Sequence, residues 1–175
     1  VQQAWLDEFE RRYKNEIGLP FAVEYHPSAL SSVRLQKLVN AGLNRVDMGI
    51  QSGSDYIRNE LFERPGTNND IIEKAREIDN LGVKITWDLI VENPYETEDS
   101  VKSAVNVLLQ LPKPLDVNLF ALQYFPNFPF TNRAVEDGHV DLQETTTDYL
   151  MEKSRENWLF VPKLDEKPPV VPAGP

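Results

Sequence analysis

Three short segments of this chain alternate apolar and polar residues with a period of two, and each carries polar side chains near its end. In Phe21-Ala22-Val23-Glu24-Tyr25-His26, Phe21, Val23 and Tyr25 share one face, while Glu24 and His26 take the other. In Arg45-Val46-Asp47-Met48-Gly49-Ile50-Gln51, Val46, Met48 and Ile50 lie opposite Asp47 and Gln51. From Lys84 to Val91, the row Ile85, Trp87, Leu89, Val91 lies opposite Thr86 and Asp88. Such alternation is what an extended strand imposes on its side chains. Helical stretches separate the three segments, so the strands should run parallel with helices covering their apolar face. The opposite face then gathers carboxylates and amides from three strands. Burying them without partners costs roughly 1–3 kcal/mol per unsatisfied group, and more for a charge. Either they satisfy one another or they hold a polar ligand, and the ligand is the expectation here.

With 175 residues the chain is most simply one domain, long enough for a real core. Its 41% hydrophobic and 10% aromatic content excludes a disordered polymer. A formal net charge of −10 argues against a nucleic-acid surface, since phosphate binding wants clustered Lys and Arg. No apolar run reaches the roughly 18 residues of a membrane span, and no signal-peptide pattern opens the chain; a cytoplasmic location is the default expectation. Cysteine is absent, so the chain supplies no disulfide, thiolate nucleophile or thiolate metal ligand. His26 and His139 are too few for a histidine-rich metal site.

Helical spacing of Trp5, Phe9, Tyr13 and Ile17 predicts a helix over 1–17. Nothing before it explains its start, so the chain is expected to be the later part of a longer protein. Gly18-Leu19-Pro20 ends that helix. A second runs from Ser28 to Asn40, with Leu30, Val33 and Val39 among its buried residues and Gly42 as its stop. Ser52-Gly53-Ser54 turns the chain into a helical stretch from Ser54 to Glu63, followed by the loop Arg64-Pro65-Gly66-Thr67. Asn69 to Leu81 is amphipathic, and Thr97 is placed to cap a helix through Leu111. Leu115 to Phe125 reads as a fourth strand. These repeats argue for α/β architecture with a parallel sheet, either open or curved into part of a barrel. Residues 141–161 read as a C-terminal helix and 162–175, with five prolines, as a tail or linker.

Four segments carry a resemblance. "VEYHPSAL" (Val23–Leu30) is similar to a third-strand "E-x-D-P" segment, and "RVDMGIQSGSDYIRNELFER" (Arg45–Arg64) to a fourth-strand "GvQSgs…R" segment. "WDLIVENPYET" (Trp87–Thr97) is similar to a fifth-strand "D-x-I-x-G-x-P-x-E-T" segment, and "LFALQYFPNFPFTNRAVEDG" (Leu119–Gly138) to a "yPGT-x-L…A…G" stretch. Together they resemble the radical S-adenosylmethionine (SAM) superfamily, in the branch containing oxygen-independent coproporphyrinogen oxidase. The last segment and "LPKP" (Leu111–Pro114) look closest to members with a cobalamin-binding domain. The resemblance covers residues 1–140 and implies a partial TIM-type barrel, of which this chain would be the last four βα units of six. The family's C-x-x-x-C-x-x-C segment, which holds the [4Fe-4S] cluster, is absent, as is the glycine-rich segment after the second strand. Both would lie upstream of Val1. Smaller departures are Glu92-Asn93, where glycine is usual, and Asn127-Phe128, where Gly-Thr is common.

The resemblance implies SAM-binding roles for Glu24, Gln51, Arg64 and Asp88. Glu24 would meet the methionine or ribose part, Gln51 and Asp88 the ribose hydroxyls, and Arg64 the carboxylate, a task suited to a guanidinium fork. The competing readings are an ion pair for Glu24 or Asp88, a loop-bridging amide for Gln51 and a surface position for Arg64. His26, Ser52 and Tyr124 are further candidates for SAM or substrate contact; Ser52-Gly53-Ser54 could equally be a turn with Ser54 as an N-cap. The implied cofactors are SAM, a [4Fe-4S] cluster liganded outside this chain, and cobalamin. The whole enzyme would cleave SAM reductively, for radical modification or methylation of a small molecule. The alternative is a degenerate, cysteine-free barrel working as a binding or scaffold module.

Overall fold

The computed structural model describes residues 3–27 and 31–145. Two compact units follow one another along the chain, dividing after Leu122. In the first, helix α1 (Gln3–Arg12) runs into a π-helical turn (Tyr13–Ile17), then β1 (Phe21–Tyr25), α2 (Ser32–Ala41) and β2 (Leu43–Gln51). Another π-helical turn (Ile57–Leu61), α3 (Asn68–Asn80), β3 (Lys84–Val91), α4 (Glu98–Gln110) and β4 (Asp116–Ala121) complete it. The four strands form one parallel sheet in the order β1-β2-β3-β4. The α/β class and parallel pairing read from the alternation are therefore what the chain adopts.

The alternating residues explain why the sheet is covered as it is. Val46, Met48 and Ile50 of β2 and Trp87 of β3 are fully buried, and they pack with Leu35, Ile72, Ala75 and Ile78 from the helices. Removing each such side chain from water contributes roughly 1.5–3 kcal/mol. Glu24 on the opposite face stays exposed, and Asp47, Gly49 and Asp88 are half-buried. Both long crossover helices start at capping boxes. Asp70 accepts from the Thr67 amide at 2.7 Å while Thr67 Oγ1 accepts from the Asp70 amide at 3.2 Å, and Thr97 and Ser100 repeat the exchange in α4.

Several boundaries differ from the sequence expectation. The first helix relaxes into a π-helical turn after Arg12 and ends where Gly18 takes φ 66°. The cap of α2 is Ser31, whose Oγ accepts from the Arg34 amide; the expected start at Ser28, with Leu30, lies outside the described residues. Val33 is 61% exposed rather than buried, because Leu35, Leu38 and Ala41 form the inward face and Val33 lies about two-fifths of a turn past it. Val39, on that inward side, is half-buried. The fourth strand is shorter than expected, although the Leu122 amide still donates to the Val91 carbonyl at 2.9 Å.

In the second unit α5 (Pro129–Glu136) opens with proline at its first turn and buries Thr131 and Ala134. Leu142–Thr145 is a 3-10 turn. The remainder of the expected helix over 141–161, and the tail 162–175, lie outside the described residues.

At Gly53 neighbouring backbone leaves no room for a side chain. A Cβ on Gly53 would sit 2.1 Å from the Ala104 amide nitrogen and 2.4 Å from the Ser100 carbonyl oxygen, so the loop after β2 is pressed directly onto the backbone of α4. Gly53→Ala must therefore push loop and helix apart. A loss of about 2–4 kcal/mol in urea unfolding is expected, and a change below about 0.5 kcal/mol would contradict the close approach.

Candidate functional site

Pairing register brings the polar tips together. In the sheet, Glu24 is the partner of Asp47, Gly49 of Asp88, and Asp88 of Asn118. Partners in a parallel pair face the same way about 4.8 Å apart, so these groups lie side by side on the uncovered face. At Gly49 the row has a gap. The strand bulges between Gly49 and Gln51, and Gln51 takes φ 65°, a left-handed conformation uncommon outside glycine. That twist folds the Gln51 side chain back over Gly49: a Cβ there would meet Gln51 Nε2 at 2.0 Å and Arg64 Nη1 at 3.0 Å. The space left by a missing side chain is thus filled by an amide and a guanidinium.

The result is a cleft of about 210 Å³ lined by Glu24, His26, Asp47, Gln51, Arg64 and Asp88. A second cavity of about 510 Å³ shares His26, Gly49 and Arg64 with it and continues along the loop 65–67 toward α3. Pockets for drug-sized ligands start at roughly 300 Å³, so the acidic cleft alone takes one end of such a molecule. Its charges are unevenly satisfied. Asp88 accepts from Asn118 Nδ2 at 3.0 Å. Arg45 lies against Asp47, with Nε 3.0 Å from Oδ1 and Nη2 donating to Oδ2 at 3.3 Å. The approach to Oδ1 is too oblique for a hydrogen bond, which leaves that buried oxygen without a donor among the described residues. Arg58 and Arg45 are engaged by Asp55 and Asp47, whereas Arg64 forms no ion pair among the described residues. Burial, with the positive charge of Arg64 beside it, holds the His26 imidazole below its ordinary pKa and so neutral at neutral pH.

Of the seven residues singled out in the sequence, five meet here: Glu24, His26, Gln51, Arg64 and Asp88. Ser52 does not line the cleft. It is 1% exposed, and its Oγ accepts from the Ser54 amide at 3.0 Å, while Ser54 Oγ accepts from the Ile57 amide at 3.3 Å. Ser52-Gly53-Ser54 is therefore a capped turn, with its serine oxygens used internally. Tyr124 belongs to the second unit, where its ring stacks on Phe130 at 6.2 Å. Two further residues shape the cleft. Asp47, which the alternation places on the polar face with Gln51 but to which the resemblance gives no role, lines it as well. Gly49 matters through the side chain it lacks, which alternation cannot signal.

This arrangement can accept hydroxyl or ammonium protons at Glu24, Asp47 and Asp88, and offers a guanidinium to an anionic group a few ångströms away. A zwitterionic nucleoside with a free carboxylate has those features. A [4Fe-4S] cluster does not fit these residues, since the chain contains no cysteine. No helix among the described residues is long and apolar enough to cross a membrane.

Comparison with known proteins agrees with the fold. A heme chaperone, HemW, of Lactococcus lactis is 28% identical over 144 residues, covering 77% of this chain and 38% of that protein. Among solved structures, Escherichia coli HemN, a coproporphyrinogen III oxidase described as a radical SAM enzyme, is similar with a TM-score of 0.64 at 19% identity, over 92% of this chain and 37% of its own. The methyltransferase TsrM of Kitasatospora setae, solved with cobalamin and a [4Fe-4S] cluster, gives a TM-score of 0.60 at 23% identity, over 77% of this chain and 27% of its own. The chain thus spans well under half the length of each. The profile of one family matches residues 3–108, more than half of the chain: by fold and by sequence the chain belongs to the radical SAM superfamily.

Proposed function

We propose that this chain forms part of the SAM pocket and the adjoining substrate wall of a radical SAM enzyme. An earlier segment of the same protein would supply the cluster-binding cysteines. The observation that carries this reading is the convergence of Glu24, Gln51 and Asp88, from three neighbouring strands, on one cleft with Arg64. In it Arg64 binds the methionine carboxylate and Asp88 and Glu24 accept from ribose hydroxyls or the ammonium group. Gln51 offers a donor and an acceptor at once. When bound to a reduced cluster, SAM supplies the oxidising fragment for substrate chemistry. The residues of this chain bind and orient it. Cobalamin, present in the TsrM structure, is a second cofactor for the methyl-transfer form of the activity. The larger cavity beyond Arg64 is the space for a small-molecule substrate.

A second reading is a binding or scaffold module without catalysis. It is favoured by the chaperone name of the Lactococcus relative. Iron–sulfur absorbance and SAM turnover by the intact protein would favour the enzyme. SAM binding without either would favour the module.

Calorimetric titration of the intact protein with SAM tests the site. Asp88→Ala and Gln51→Ala should each weaken affinity by about tenfold or more, the loss expected for hydrogen bonds to a charged or fully used partner. Unchanged affinity in both variants would remove the assignment. Gly49→Ala should displace the Gln51 amide and weaken SAM to a similar extent, while the melting temperature moves by only a few degrees. Full affinity in Gly49→Ala would show that Gln51 is not needed where it lies.

A further inference from the structure

Arg58 is a charged residue in the interior, 3% exposed, in the π-helical turn after β2. Its guanidinium reaches back to the loop that precedes it. Nη1 donates to the Ser52 carbonyl and, at 2.7 Å, to Asn68 Oδ1, while Nη2 pairs with Asp55. Asn68, the first residue of α3, passes the contact on: its Nδ2 donates to the Gly53 carbonyl at 3.0 Å and to Ser103 Oγ of α4 at 3.1 Å. The carbonyls of Ser52 and Gly53, the two residues after Gln51, thus end on this pair. At the other end of Arg58, its own backbone carbonyl accepts from the Arg64 amide at 2.8 Å. One residue is therefore tied by its side chain to the neighbour of Gln51 and by its backbone to Arg64.

Burying a guanidinium is costly, and a leucine or methionine would fill similar volume at lower cost. Burial works against the charge of Arg58, and Asp55 offsets this only in part. What an apolar filler cannot do is hold several oxygen acceptors at fixed directions, which the planar, multi-donor fork does. The conformation at stake is a strained one. A glutamine at φ 65° is unfavourable and persists only where its surroundings over-determine it. Anchored on Ser52, the chain cannot relax toward extended geometry, so the amide stays over Gly49 and beside Arg64.

We propose that Arg58 is a positioning residue, held through Asn68, that sets the spacing of the Gln51 amide and the Arg64 guanidinium and thereby selects nucleosides carrying an amino-acid carboxylate. It touches no ligand itself, and the inference rests on the SAM reading of the cleft.

The test uses the intact protein and two ligands, SAM and 5′-methylthioadenosine, which keeps the adenosine and sulfur but lacks the amino-acid end. Arg58→Lys should weaken SAM by about tenfold or more and methylthioadenosine by clearly less, since that ligand keeps a ribose for Gln51 but has no carboxylate for Arg64. Asn68→Ala should shift the ratio in the same direction, and serves as the second variant if Arg58→Lys does not fold. Melting temperatures measured alongside separate folding from recognition. Equal losses for both ligands, or no loss for SAM in a folded variant, overturn the positioning role and leave the SAM site standing. A wild-type protein that binds neither ligand overturns the functional reading, and the positioning role with it.

Discussion

The register between β2 and β3 governs everything that follows it. Val46 pairs with Ile85 and Met48 with Trp87, which seats the apolar rows under the helices and leaves Gly49 beside Asp88 on the other face. A slip of one residue would invert both faces at once, exposing Trp87 and driving Asp88 into the hydrocarbon core. Hydrophobic burial therefore fixes the position of the polar groups, although it never touches them. The site is a consequence of packing on the far side of the sheet.

At the end of β2 that regularity is broken on purpose-built terms. The bulge, the left-handed Gln51 and the approach of Gly53 to the α4 backbone occur within five residues, Gly49 to Gly53. Each alone is unfavourable for an ordinary chain. Together they are held by Arg58 and Asn68, which donate to the Ser52 and Gly53 carbonyls beyond the strand ladder, with Asn68 also donating to Ser103 of α4. Such local departures from regular structure concentrate where a fold presents chemistry.

Membership of the radical SAM superfamily and the chemistry available here meet at a division of labour. The chain has no thiolate to bind iron, and the charged side chains lining its cleft are acidic apart from Arg64. In the proposed reading it offers recognition: carboxylate acceptors for hydroxyls from the strands and, from the loop before α3, a guanidinium for a carboxylate.

The sequence by itself determined the α/β class, the parallel strands and the face on which Glu24, Gln51 and Asp88 project. Period-two alternation and helix caps such as Thr67 and Thr97 are local, and local signals survive in one dimension. Helix limits were less legible, as Val33 shows, because a buried face is defined by what packs against it. Only the tertiary structure decided that Gly49 leaves room for an amide, that Asp47 keeps a buried oxygen without a donor, that Ser52 turns inward, and that Arg58 is interior. Each of these depends on contacts between residues distant along the chain, Arg58 with Asn68 or Gly53 with Ala104, and no pattern along a single segment encodes such a meeting.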